Sequence, residues 1–94
     1  MLIVSIHFTF TPEDADKIEP MFRELREATR KEEGVISFEA ARGLDNPNVY
    51  ALWEVYRDKA ALDFHASTDY FKRIVIDGAR AMAQQRNAVT VVPV

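Results

Sequence analysis

The sequence of 94 residues contains no cysteine. That excludes disulfides, thiolate nucleophiles, iron–sulfur clusters and thiolate-held zinc, and makes a reducing compartment the natural setting. Glycine and proline are scarce, three and four residues, and no low-complexity tract occurs, so neither a flexible linker nor a disordered segment is expected. No apolar run approaches the roughly 20 residues of a membrane span, and the opening MLIVSIHFTF lacks the basic residues of a signal peptide. A cytoplasmic protein is predicted. Basic residues are not in excess: 12 against 15 acidic ones give a net charge of −3, which offers no electrostatic footprint for nucleic acid or an anionic membrane. Glycine-rich phosphate loops, the G-x-S-x-G elbow and the H-E-x-x-H helix are also missing. Two histidines without a compact carboxylate cluster give no reason to expect a metal.

What is present reads as one domain over residues 1–94, because a chain of this length is too short for two. Residues 2–10 alternate as a strand, with Leu2, Val4, Ile6, Phe8 and Phe10 on one face and Ile3, Ser5, His7 and Thr9 on the other. Thr11-Pro12-Glu13-Asp14 is a helix start, and Ile18, Phe22, Leu25 and Thr29 recur at helical spacing. Gly34 is placed to end that helix, about 12–33, in a left-handed turn, and Pro20 is expected to kink it. Strands follow at 35–42 and about 49–56, joined by the turn residues Leu44 to Asn48 as a hairpin. A helix opening at Arg57, a longer one over about 69–85 and a last strand over 88–94 complete the chain.

The order βαββαβ predicts an α+β, ferredoxin-like fold: a four-stranded antiparallel sheet with both helical connections on one face. Neither face of the first and third strands reads as solvated, and helices cover only one. A bare apolar sheet of several hundred Å² is unusual on a monomer, so a homodimer packed sheet to sheet is expected. The alternation assigns Leu2, Val4, Ile6 and Phe8 to the partner, and the His7 side to the helices.

Among residues able to carry chemistry, His65 stands out in a helix of otherwise small or apolar residues, where an imidazole can act as a general base. Spacing alone favours the plainer reading, a core or helix-end histidine with a satisfied hydrogen bond. Glu54, between Trp53 and Val55, is a mid-strand carboxylate that needs a partner such as Arg42 or a histidine if buried. His7, Trp53, Tyr70 and Phe71 are further candidates to line an aromatic pocket for a planar ligand. An RNA-recognition module of the same βαββαβ order is disfavoured, because Tyr50, Trp53 and Tyr56 do not fit its basic-glycine signature and the net charge is acidic.

The segments LREATRKEEGVISFEAAR, LDNPNVYALWEVYRDKAALDFHASTDYFK and VTVVPV resemble the antibiotic biosynthesis monooxygenase family of dimeric α/β barrels. The likeness rests on Gly34, Ser37-Phe38-Glu39, Asp45-Asn46-Pro47-Asn48, Glu54, Tyr56, Ala61-Leu62, His65 and Tyr70-Phe71-Lys72. It implies a dimeric α/β barrel that oxidises a small aromatic or quinol-type substrate with O2 without metal or flavin. It also implies His65 as catalytic base, with His7, Trp53, Glu54, Tyr70 and Phe71 binding substrate. Many relatives carry a second histidine where Tyr70 stands and tryptophan where Tyr56 stands. The haem-degrading branch uses an asparagine, a tryptophan and an axial histidine where this chain has His7, His65 and Val75, so haem is not an expected substrate. An isomerase using the same pocket, or a non-catalytic ligand-binding or stress-response dimer, are the alternative readings, since fold alone does not fix function.

Overall fold

A computed structural model describes residues 1–94. Strand β1 (Leu2–Thr9) leads to helix α1 (Pro12–Thr29), the hairpin β2 (Val35–Arg42) and β3 (Val49–Tyr56), and helix α2 (Lys59–Ala66). A π-helix (Phe71–Ala79) then runs into the short α3 (Arg80–Met82), followed by β4 (Gln85–Val91). The strands form one sheet of order β2-β3-β1-β4 with every neighbour antiparallel, the ferredoxin-like α+β arrangement that the element order predicts. No helix is long and apolar enough to cross a membrane.

Helix α1 begins where its sequence dictates. The Thr11 hydroxyl accepts a hydrogen bond from the Asp14 amide (3.2 Å) and Pro12 occupies the first turn, which satisfies one of the otherwise free amides. Ala15, Ile18, Phe22, Leu25 and Thr29 form its buried stripe, and the helix runs through Pro20. It stops at Thr29 and not at residue 33, and no glycine has a positive φ. Gly34 therefore serves a different purpose: a Cβ there would collide with the Ala61 side chain, so its bareness lets α2 close over the start of β2. Helix α2 is capped by Asp58, whose carboxylate accepts from the Ala61 amide at 2.9 Å. The long third helix expected over 69–85 is instead mostly π-helical and ends at Met82, and the last strand lies three residues earlier than expected.

The sheet faces are the main correction. Val4, Ile6, Phe8 and Phe10 are buried beneath the helices with Phe22 and Leu25 of α1, and their antiparallel partners Glu54, Leu52 and Tyr50 point the same way. His7 is exposed, and Trp53 is 48% exposed. The helix-covered face is thus the large-residue face, because only bulky alternate residues fill the gap to a helix layer. Ile3, His7, Trp53 and Val89 belong to the open face. The two faces alternate as the sequence predicts, but the face expected to meet a partner is the one that meets the helices.

Candidate active site

Four rings surround one imidazole where β3 ends. Helix α2 buries only Ala61 and His65, one helical turn apart, so the histidine occupies the place of a core residue. Its ring centroid lies 5.9 Å from Phe38, 5.5 Å from Tyr56, 6.4 Å from Tyr70 and 5.2 Å from Phe71. His65 is 1% exposed.

A buried imidazole in such a cage needs a polar partner, and it comes from the turn between α1 and β2. His65 Nδ1 lies 2.9 Å from Glu32 Oε2, and the Tyr70 hydroxyl donates to the same oxygen at 2.5 Å. Glu32 is held by its own backbone: its amide donates to the Thr29 carbonyl (3.0 Å) and its carbonyl accepts from the Val35 amide (3.2 Å). A carboxylate at Nδ1 favours the tautomer with the proton on Nδ1 and the lone pair on Nε2. Nε2 is then the nitrogen available to a neighbouring ligand.

A cavity of about 200 Å³ opens between sheet and helices beside this imidazole, walled by Ile6 and Leu52 of the sheet and Phe71 and Val75 of the π-helix. Glu54 and His65 supply its buried polar groups. Glu54, 4% exposed, accepts from the Tyr56 hydroxyl at 2.5 Å. Burial raises its carboxyl above the ordinary range, opposed by the Tyr56 hydrogen bond and then by the nearby His65. Burial, with the adjoining Glu54, also pushes the Tyr56 phenol upward, and burial together with Glu32 pushes Tyr70 up to about 12. Both phenols therefore stay protonated near neutral pH and act as donors. The arrangement offers a space walled mainly by aliphatic side chains and Phe71, a base with an oriented lone pair, and a carboxyl disposed to hold a proton.

Of the residues singled out in the sequence, His65, Glu54 and Phe71 meet at this cavity, and Tyr70, which does not line it, is tied to His65 through the shared Glu32 oxygen. His7 and Trp53 do not: they lie across the sheet, His7 in a shallow depression with Ser5, Asn87 and Val89. The partner of Glu54 is Tyr56; Arg42 instead pairs with Asp16 and Glu19. Sequence reasoning missed Glu32, which sits among exposed charged residues in a turn and has no local mark of burial. It also missed Arg80 and Arg86, both at the cavity. Arg80 is hidden by the π-helix, which breaks the 3.6-residue count that assigns helix faces. Arg86 falls between the helix expected to about residue 85 and the strand expected from Ala88, whereas the structure places it inside β4.

Residues 1–76 match the family described as antibiotic biosynthesis monooxygenase. A crystal structure of an antibiotic biosynthesis monooxygenase superposes with a TM-score of 0.91 at 30% identity, covering 100% of this chain and 99% of that one. YcnE of Bacillus subtilis, a provisionally named monooxygenase, is 22% identical over 95% of this chain and 94% of its own length. The uncharacterized protein sll1783 of Synechocystis is 28% identical over 79% of this chain, and the match spans only 50% of that relative.

Proposed function

This chain belongs to the antibiotic biosynthesis monooxygenase family, and from that premise we propose that it oxidises a small aromatic, quinol-type substrate with O2, using no cofactor, with His65 as the base. The observation that carries the reading is the Glu32–His65 pair inside an aromatic cage at the edge of a cavity. His65 Nε2 takes the proton of a phenolic or activated C–H group, and the electron-rich anion reacts with O2. In an anthrone-type conversion the substrate CH2 becomes C=O. One oxygen atom enters that carbonyl, and the other leaves as water with the two hydrogens the carbon loses. The substrate supplies the electrons, so the protein's part is deprotonation, orientation and exclusion of water. Size supports a small substrate: an apolar cavity of about 150 Å³ admits benzene, so about 200 Å³ accommodates one substituted ring.

The proposal includes a homodimer closed through the open face of the sheet. Trp53 (48% exposed), Val89 (54%) and Val91 (40%) lie there, an apolar set that a second sheet would cover. Light scattering at micromolar concentration should give the mass of two chains; a monomer defeats this part.

Oxygen consumption with a panel of reduced quinones and anthrones tests the activity. Uptake that stops in His65→Ala supports it. Turnover without oxygen uptake points to an isomerase, and ligand binding without any turnover points to a binding protein.

A further inference from the structure

Six of the eight arginines are engaged by carboxylates: Arg23, Arg26, Arg30, Arg42, Arg57 and Arg73 each lie in an ion pair. The other two, Arg80 and Arg86, have none, and these two both line the cavity beside His65. In a chain with more acids than bases, two unpaired guanidiniums at one opening are unexpected unless something anionic meets them there.

Their convergence is built by the backbone. The Arg80 amide donates to the carbonyl of Val75, five residues back. At 3.6 residues per turn, a residue nine places beyond Phe71 points to the opposite side of a helix. The wider π-turn brings it round instead, and the Arg80 guanidinium lies 5.7 Å from the centre of the Phe71 ring. Arg86 arrives from β4, where Arg86, Ala88 and Thr90 alternate toward the same cavity. The two guanidiniums feel each other: burial, then repulsion from Arg86, lowers the Arg80 pKa, with Glu54 opposing. Like charges held together in this way are relieved by an anion.

We propose that Arg80 and Arg86 form an anion subsite, and that the ligand of this cavity is a hydroxyaromatic acid whose carboxylate is held by the two arginines while its ring lies against Phe71 and Val75. The orientation of the phenolic end toward His65 rests on the monooxygenase reading; the anion subsite does not. A guanidinium fork matches a carboxylate in shape and charge, and Arg80 above Phe71 extends the ring-binding wall to the charged mouth.

The test is anaerobic calorimetry with 2,5-dihydroxybenzoate and its neutral isostere 2,5-dihydroxybenzamide. The acid should bind wild-type protein about tenfold more tightly or better, with the advantage shrinking in high salt. In the double variant Arg80→Gln, Arg86→Gln the advantage should vanish. Both side chains are exposed, so the fold is not at stake. Equal binding of acid and amide, a preference that survives the double variant, or no binding of the acid at millimolar concentration would overturn the proposal. A preference for the acid without oxygen uptake on any quinol leaves the subsite standing and removes only the monooxygenase reading.

Discussion

The layer between sheet and helices has two ends, packed alike and equipped differently. At one, Phe8, Phe10, Phe22 and Tyr50 stack and tilt with centroids 5.4–5.8 Å apart, and the Tyr50 hydroxyl is satisfied by the Ala15 carbonyl at 2.7 Å. At the other, Phe38, Tyr56, Tyr70 and Phe71 surround His65 at similar spacing, but two carboxylates, Glu32 and Glu54, are sealed in with them. Ring packing holds both ends together. What sets the second apart is ionisable groups in the same dry medium, where desolvation magnifies each charge and each hydrogen bond. The first end is predicted to serve stability alone, and the second to accept a cost in stability for its chemistry.

The largest expected effect tests that division. His65→Ala should cut turnover by about 10²–10⁴-fold, measured as oxygen uptake, while far-UV circular dichroism keeps the wild-type shape. Turnover that survives would erase the difference between the two ends. The mirror experiment is Phe8→Ala: urea unfolding should show a loss of about 3–5 kcal/mol, and protein that remains folded should keep its rate. Next comes Glu32→Gln, which preserves size but removes the charge facing Nδ1. Losing a hydrogen bond to a charged group, worth about 1.5–3 kcal/mol, corresponds to roughly 10–100-fold in rate.

Glu54 sharpens the comparison through pH. Its folded carboxyl is raised above 4.5, chiefly by burial, so the folded chain keeps a proton that the unfolded chain releases. The resulting stabilisation is full below the unfolded pKa and is lost as pH rises through the folded value. Wild type should therefore lose ground to Glu54→Gln as pH is raised from about 4 toward neutrality, read as diverging urea midpoints. Parallel midpoints would contradict a buried carboxyl of raised pKa. The smallest effect belongs to the first end: Tyr50→Phe should cost about 0.5–1.5 kcal/mol and leave turnover untouched.

Much of the fold was legible in the residues. Thr11-Pro12 marked the start of α1, the Leu44 to Asn48 turn marked the β2–β3 hairpin, and period-two alternation marked β1 and β3. Alternation cannot say which of two apolar faces meets the helices, since that depends on side-chain volume against a layer not yet placed; hence the reversal of His7 and Trp53. His65 and Glu54 were visible because a titratable residue interrupts an apolar stretch. Glu32 was not, because it is enclosed by His65 of α2 and by Tyr70, both distant in sequence, over a turn whose neighbours are exposed. Arg80 required the backbone itself, as its side is set by hydrogen bonds no local pattern announces.

The π-helix has a bearing on how relatives are lined up with this chain. Its hydrogen bonds return five places back, so Phe71–Ala79 holds slack that an α-helix over the same distance would not need. An alignment to a relative with ordinary turns should place a one-residue gap here, after His65 and before Arg80. Functional positions counted outward from His65 across that gap would be assigned one place wrong, falling on Ala79 or Ala81. Deleting one residue from this stretch should likewise leave the chain folded while turning Arg80 away from the cavity, a separation of shape from function that no deletion inside α1 would give.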